Sequence, residues 1–459
     1  MHPRNPYQSP PDFLALALSH PALKPQYAPP CTWVFAYKRL TECGCCSVIR
    51  TAKGATIDFK DEAAQRLNYI LWLEDAMAAV TLALGEDPTR PVRGIDVYVS
   101  PGVLHTIRPT LLDCNDVLTG CSYRGTGASA IYPLLGCRTR ANWSFVATEI
   151  DALSLNAARE NVRANGLKGR ISIREADSAG PVLGPLFQSD GTPYDFTMCN
   201  PPFYGSREEV QQSAEGKEYG PNAVCTGADV EMITPGGEAA FVGRMVEEST
   251  RAQNLCRLFS SMLGKMSSLT HVVQTLRDNK IENYAVAELV QGQTRRWVIA
   301  WSFADVRLPD TLARLSHHGT QHLMPARNTL NQPLPPGRSL SEAASLARAV
   351  LSAIDGLSVR SCAPSESLEI LDVAVSAAGC TWSRAARRKK RDAMDADGAP
   401  QLVCRVRCEE RPRAGGAEAG VQLVFDWLKG SDRGLFEGFA SHVERKVVAG
   451  LSSSSQRNG

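Results

Sequence analysis

The sequence predicts an α/β chain: a mostly parallel, doubly wound sheet followed by a small α+β domain. Three observations carry this reading. Short apolar runs alternate with helical patterns between Val92 and Cys199. A glycine-rich turn, Gly125-Thr126-Gly127, opens one of those helices. Beyond a stretch rich in Pro, Asn and His, three strand-like runs precede a helix with one apolar face.

Composition sets the frame. A chain of 459 residues is long for one domain and suggests two or three, and 43% hydrophobic residues suffice for sizeable cores. The formal net charge is only +2, so a nucleic-acid surface must come from local clusters of Lys and Arg. No apolar run reads as long enough to cross a bilayer, and "MHPRNPYQSPPDF" lacks the apolar region of a signal peptide. No membrane partner is expected. The 14 cysteines are scattered and read as free thiols of a reducing compartment. Their one dense cluster, Cys43 to Cys46, has no second ligand pair at suitable spacing, so no metal is expected.

The elements follow in order. "VRGIDV", Val92 to Val97, is a first strand with Asp96 near its end. "GTGASAIYPLLG" is a glycine turn running into a helix, and "WSFVATEID" is a strand with Glu149 near its end. In "LSLNAARENVRANGL", Leu155, Ala158 and Val162 lie at helical spacing before an Asn-Gly stop. "ISIREAD" and "YDFTMC" are further strands, the second halted by two prolines that cannot donate to a ladder. "AAFVGRMVEES" and "NLCRLFSSML" read as helices, and "RRWVIAWSF" as a late strand. Residues 307–365 read as a linker with one helix in "SEAASLARAVLSAI". "LEILDVAVSAA", "PQLVCRVRCEE" and "VQLVFDWLKG" are then three strands. The closing helix carries Leu435, Phe436, Phe439, Val443 and Val447 on one face. The domains are therefore 1–306, a linker at 307–365, an α+β domain at 366–450, and a disordered tail at 451–459.

Two motifs carry chemistry. Glu149 lies about 20 residues beyond the glycine turn, at a strand end, where an acid can hydrogen-bond the ribose of a nucleoside cofactor. A surface glutamate at a strand end is the plain alternative. The second motif, Asn200-Pro201-Pro202-Phe203, shifts the balance. An amine conjugated to an aromatic ring is a poor nucleophile because its lone pair is delocalised. The Asn200 side-chain oxygen and the Pro201 carbonyl together can accept both of its N–H groups and favour the tetrahedral geometry of attack. Phe203 can then stack on a flipped base.

With these residues in place, the chain resembles a family of adenine-N6 RNA methyltransferases acting on U6 small nuclear RNA, called methyltransferase-like protein 16 in vertebrates. It resembles bacterial ribosomal-RNA relatives more distantly. The likeness is carried by "MHPRNPY" with "PPDF", "IDFKDEAAQRLNYILWLED", "GTGASAIYPLLG", "ATEID", "MCNPPF", "MLGKMSSL" and "QGQTRRWVIAWSF". It implies a Rossmann-like S-adenosylmethionine-dependent methyltransferase domain, with S-adenosylmethionine as donor and an adenosine in structured RNA as acceptor. It further implies that Arg66, Gly125, Thr126, Gly127, Glu149 and Asn200 hold the cofactor, while Asn200, Pro201, Pro202 and Phe203 grip the adenine.

RNA contacts are expected from Arg4, from Arg295 and Arg296, and from the basic run Arg384 to Arg391. That run includes Arg387, Arg388, Lys389 and Lys390, and "TWSRAARRKKR" with "LFEGFASHVERKV" resembles the family's C-terminal RNA-binding domain. It also fits a nuclear-import signal. The family's RNA points to the nucleus, with a cytoplasmic share left open.

Three places depart from the family's pattern. Residues 31–54 and 98–124 have no counterpart and read as insertions, either translated intron or lineage-specific loop. The second separates Asp96 from its glycine turn. Finally, "FKDEAAQR" runs straight into "LNYILW", where the family has an additional segment that helps close the cofactor pocket. A catalytically weak RNA-binding protein is therefore the rival expectation, with protein-glutamine N5 methylation a third.

Overall fold

The fold comes from a computed structural model that describes residues 2–5, 60–97, 129–177, 179–202, 204–206, 209, 234–291, 294–362, 371–383, 399–411 and 420–455. Both proposed insertions, 31–54 and 98–124, lie outside these residues, as does the "CGCC" cluster. The chain divides into two compact units. One comprises residues 1–75, 89–304 and 315–324, the other 76–88, 305–314 and 325–459.

The first unit is built on a seven-stranded sheet. Its strands are β1 (Val92–Asp96), β2 (Trp143–Glu149), β3 (Ile171–Glu175), β4 (Tyr194–Met198), β5 (Cys256–Leu263), β6 (Tyr284–Gln291) and β7 (Thr294–Trp301). Their order is β3-β2-β1-β4-β5-β7-β6. The first five pair in parallel, and β7 runs antiparallel between β5 and β6. Chain order reverses between β1 and β4, which makes the carboxyl ends of those two strands the topological switch point.

Helices connect the parallel strands: α1 (Lys60–Leu84) before β1, α2 (Ile131–Thr139), α3 (Ala152–Ala164), α4 (Gly237–Ala252) and α5 (Met266–Asp278). Their sequences explain their bounds. Asp151 caps α3 by accepting the Ser154 N–H at 2.7 Å, and Leu155, Ala158 and Val162 form its buried face. Gly166 then takes a φ of +68°, the left-handed turn that ends the helix. In β1, Gly94 is required by packing, since a Cβ there would lie 2.5 Å from the Phe196 ring and 3.0 Å from Phe145. Trp143, Phe145 and Phe196 cluster around that strand, their ring centroids 4.9–6.0 Å apart.

The second unit is a five-stranded antiparallel sheet. It contains β8 (Thr329–Pro333), β9 (Leu357–Ser361), β10 (Asp372–Ala377), β11 (Leu402–Arg411) and β12 (Gly420–Lys429), in the order β8-β12-β11-β10-β9. Helices α6 (Leu340–Ser352) and α7 (Arg433–Ser455) belong to its core. Ala343, Ala347 and Leu351 of α6 and Phe436, Phe439 and Val443 of α7 join Val373, Val406 and Phe425 of the sheet there. The helices approach closely at Gly450, where a Cβ would meet Leu346 Cδ2 at 2.6 Å.

Four sequence expectations are corrected. The stretch read as a helix from Asn254 is β5, buried at every position but Arg257. A strand buried on both faces of its sheet has no solvent side, so its apolar run carries no period to tell it from a buried helix. Residues 307–365 are no plain linker, because they supply β8, α6 and β9 to the second sheet. The disordered tail expected from 451 begins inside α7, which runs to Ser455. Arg66–Leu84 is apolar and long enough to cross a membrane, with 72% of that stretch buried inside the protein. Its apolar character is that of a core helix.

Candidate active site

The chemistry-bearing residues gather at the carboxyl ends of the parallel strands. Asp96 ends β1, Glu149 ends β2 and Asn200 follows β4. Backbone bonds set where Asn200 begins. The Val97 N–H donates to the Met198 carbonyl and the Met262 N–H to the Cys199 carbonyl, each at 2.8 Å. Asn200 is therefore the first residue past the ladder. Pro201 and Pro202 extend the segment without offering donors and are themselves buried.

The Asn200 side chain is only 8% exposed and has no hydrogen-bond partner among the described residues. An amide at a switch point that no described residue engages is available to a ligand. Glu149 is 2% exposed, and its Oε1 accepts the N–H groups of Ile150 and Asp151 at 2.9 and 3.1 Å. These two bonds fix the direction of the carboxylate. The Arg66 guanidinium lies over the Tyr132 ring, 5.4 Å from its centroid, and Tyr132 meets Tyr69 edge-on at 6.0 Å.

The loop after Asn200 is anchored as well. Glu209 accepts the Gly205 N–H at 2.7 Å and pairs with Lys265, whose ammonium sits 5.2 Å from the Tyr204 ring centroid. The Gly205 amide, and then Lys265, hold the Glu209 carboxyl below its ordinary range. Glu238, at the start of α4, accepts the N–H groups of Gly264 and Lys265 at 2.7 and 2.9 Å. Its burial pushes its carboxyl upward, against the pull of those bonds.

Of the predicted residues, Glu149 ends β2, Asn200 and Pro201 follow β4 with β1 between those two strands in the sheet, and Pro202 continues the same segment. Gly125, Thr126, Gly127 and Phe203 lie outside the described residues, as do Arg387, Arg388, Lys389 and Lys390. Arg4 is engaged within the protein: it donates to Glu74 Oε2 at 2.7 Å, to the Leu71 carbonyl at 3.2 Å and to Asp75. Arg140 also reaches Glu74, at 3.3 Å. Arg295 pairs with Glu288 at 3.0 Å, and Arg296 donates to the Arg295 carbonyl. Sequence reasoning missed Tyr69, Lys265, Glu238 and Ser260. The first two sit inside the quoted runs "RLNYILW" and "MLGKMSSL", but nothing in those runs shows what they touch. Among the described residues no group of three or more His, Cys, Asp or Glu side chains could hold a metal ion.

Comparison with known proteins shows the family. A family model described as RNA methyltransferase matches residues 48–305. RNA N(6)-adenosine-methyltransferase mettl16 of Xenopus laevis is 34% identical over 323 residues, covering 66% of this chain and 52% of the relative. The U6 small nuclear RNA (adenine-(43)-N(6))-methyltransferase of Schizosaccharomyces pombe is 32% identical over 324 residues, covering 70% and 77%. The crystal structure of the hMettl16 catalytic domain in complex with MAT2A 3'UTR hairpin 1 matches with a TM-score of 0.50 and 31% identity. That match covers 69% of this chain and 99% of the solved one. The chain thus spans about half the length of the vertebrate relatives it matches. The family match takes in every strand of the first sheet, and the chain belongs to the methyltransferase-like protein 16 family of RNA methyltransferases.

Proposed function

We propose that the chain transfers a methyl group from S-adenosylmethionine to the N6 of an adenosine in structured RNA, with U6 small nuclear RNA as substrate. The observation that carries this is Asn200 at the switch point, 8% exposed and with no side-chain partner among the described residues. The relatives support the acceptor: one is named for U6 small nuclear RNA, and the matching crystal structure holds an RNA hairpin.

The residues present fit the cofactor. A nearly buried carboxylate, oriented by two backbone amides, suits the paired hydroxyls of a ribose. Glu149 would hold that ribose, with Arg66, Asn200 and the Gly125-Thr126-Gly127 turn completing the pocket. When bound, S-adenosylmethionine supplies an electrophilic methyl on a sulfonium. The chain's own part is to prepare the amine. Asn200 Oδ1 accepts one N–H and the Pro201 carbonyl the other, which draws the nitrogen toward tetrahedral geometry and frees its lone pair. Phe203 stacks on the base. Asn200, Pro201 and Pro202 carry no titratable group, so the proton released on transfer passes to solvent. The barrier falls by positioning.

Arg295, Arg296 and the Arg384–Arg391 run supply RNA contacts, with Arg4 joining once its pairs with Glu74 and Asp75 open. The same basic run directs the protein to the nucleus, which imaging of a fluorescent fusion with and without it tests. The decisive assay is transfer of labelled methyl to a small hairpin bearing the U6-type adenosine. It compares the chain as written with a version lacking Tyr98–Arg124. Transfer by either version, lost in Asn200→Ala, is the expected result. Silence in both overturns the enzyme reading.

A further inference from the structure

A polar relay lies beneath the Asn200 segment, and strand pairing does not require it. Ser260 of β5 donates its hydroxyl to the Thr197 carbonyl at 2.7 Å, and its N–H to Thr197 Oγ1 at 3.2 Å. From α1, the Tyr69 hydroxyl lies 2.8 Å from Ser260 Oγ, and neither side chain is exposed. The direction of that bond follows from counting protons. Ser260 has one hydroxyl hydrogen and spends it on a carbonyl, so Tyr69 must be the donor. Burial pushes the Tyr69 phenol well above its ordinary ionisation range, so the donor keeps its proton.

The relay therefore grips β4 at Thr197, three residues before Asn200. It does so from two elements at once, α1 and β5. This matters because, among the described residues, Asn200 has no partner to aim its own amide. Among them, its direction and that of the Pro201 carbonyl follow from the backbone. A phenylalanine at position 69 would fill nearly the same volume, so the hydroxyl serves the relay rather than the packing.

We propose that Tyr69, acting through Ser260, is a positioning residue for methyl transfer: it holds the end of β4 so that Asn200 and the Pro201 carbonyl meet the acceptor amine together. The proposal rests on the reading of Asn200 as the amine-binding group.

The test uses the full chain with Tyr69→Phe, Ser260→Ala and the double variant. It measures kcat and KM on the hairpin RNA, together with the affinity and stoichiometry of S-adenosylmethionine binding by calorimetry. Tyr69→Phe should lower kcat about tenfold or more, because small misplacements of reacting groups are costly. KM, cofactor affinity and stoichiometry should stay within about twofold, and the double variant should lose little beyond the worse single one, as groups acting as a unit do. A Tyr69→Phe chain with unchanged kcat overturns the positioning role. So does a fall in kcat matched by the same fall in binding stoichiometry, which marks lost folded protein. Should Tyr69→Phe not fold, Ser260→Ala breaks the relay from the other side, and unchanged kcat there overturns it equally. No turnover by the unsubstituted chain removes the proposed function and this role with it, whereas turnover that the variants match removes this role alone.

Discussion

Asn200→Ala separates activity from stability in a way few active-site substitutions do. The side chain is 8% exposed, and no described residue bonds its amide. Neither of its amide atoms is among the described side-chain atoms that are fully buried without a partner, so the amide keeps access to solvent and its removal costs the fold little. The net effect should lie within about 1 kcal/mol of zero, a change in Tm of no more than about 4 °C. Catalysis should lose far more. Loss of one preorganised group facing the reacting centre costs about 2.7–4 kcal/mol, or a hundredfold to a thousandfold in kcat. Thermal melting without cofactor, beside kcat on the hairpin RNA, reads both quantities. A variant keeping more than about a tenth of the activity would refute the amine-binding role, since it falls far short of that loss. A Tm lower by more than about 4 °C would instead show that Asn200 caps the strand end structurally.

Three further outcomes follow from the same structure. Gly94→Ala drives a Cβ to 2.5 Å from the buried Phe196 ring, and overpacking of that kind should cost about 1–3 kcal/mol in a denaturant titration. Arg405→Lys replaces a two-pronged contact with Asp372, at 2.7 and 2.6 Å, by a single-point one and should cost about 1 kcal/mol in the same measurement. Glu238 gives a pH signature. Its folded-state carboxyl sits above its ordinary value of 4.5, so between that value and the folded one the native state binds more protons than the unfolded state. Stability therefore falls as pH rises through this window. The difference in Tm between the unsubstituted chain and Glu238→Gln should shrink or reverse across it, and a difference that grows would contradict the burial argument.

The sequence determined much of the first unit. Alternating apolar runs and helical spacings marked β1 to β4, because each connecting helix keeps one polar face and each strand ends in turn chemistry. The halt at Pro201 and Pro202 located the end of β4, since neither residue can extend a ladder. Local periodicity works where an element has one wet side.

It failed where an element has none, or where its partner is distant in the chain. β5 is buried on both faces, so its run of Leu, Phe, Ser and Met carries no period and reads as a helix. β8 and β9 are short edge strands whose ladder bonds go to β12 and β10. Their own residues, among them Asn331, Gln332 and Ser358, look like loop.

At the site the division is the same. The strand-end places of Asn200, Pro201 and Glu149 were legible because the runs before them and the prolines after β4 mark where the strands stop. Tyr69 and Ser260 are separated by 191 positions. A tyrosine on an apolar helix and a serine in an apolar strand each look like ordinary core. Only the packing of α1 against the ends of β4 and β5 brings one donor to one acceptor. That meeting is a property of three elements at once, and no local pattern in any of them encodes it.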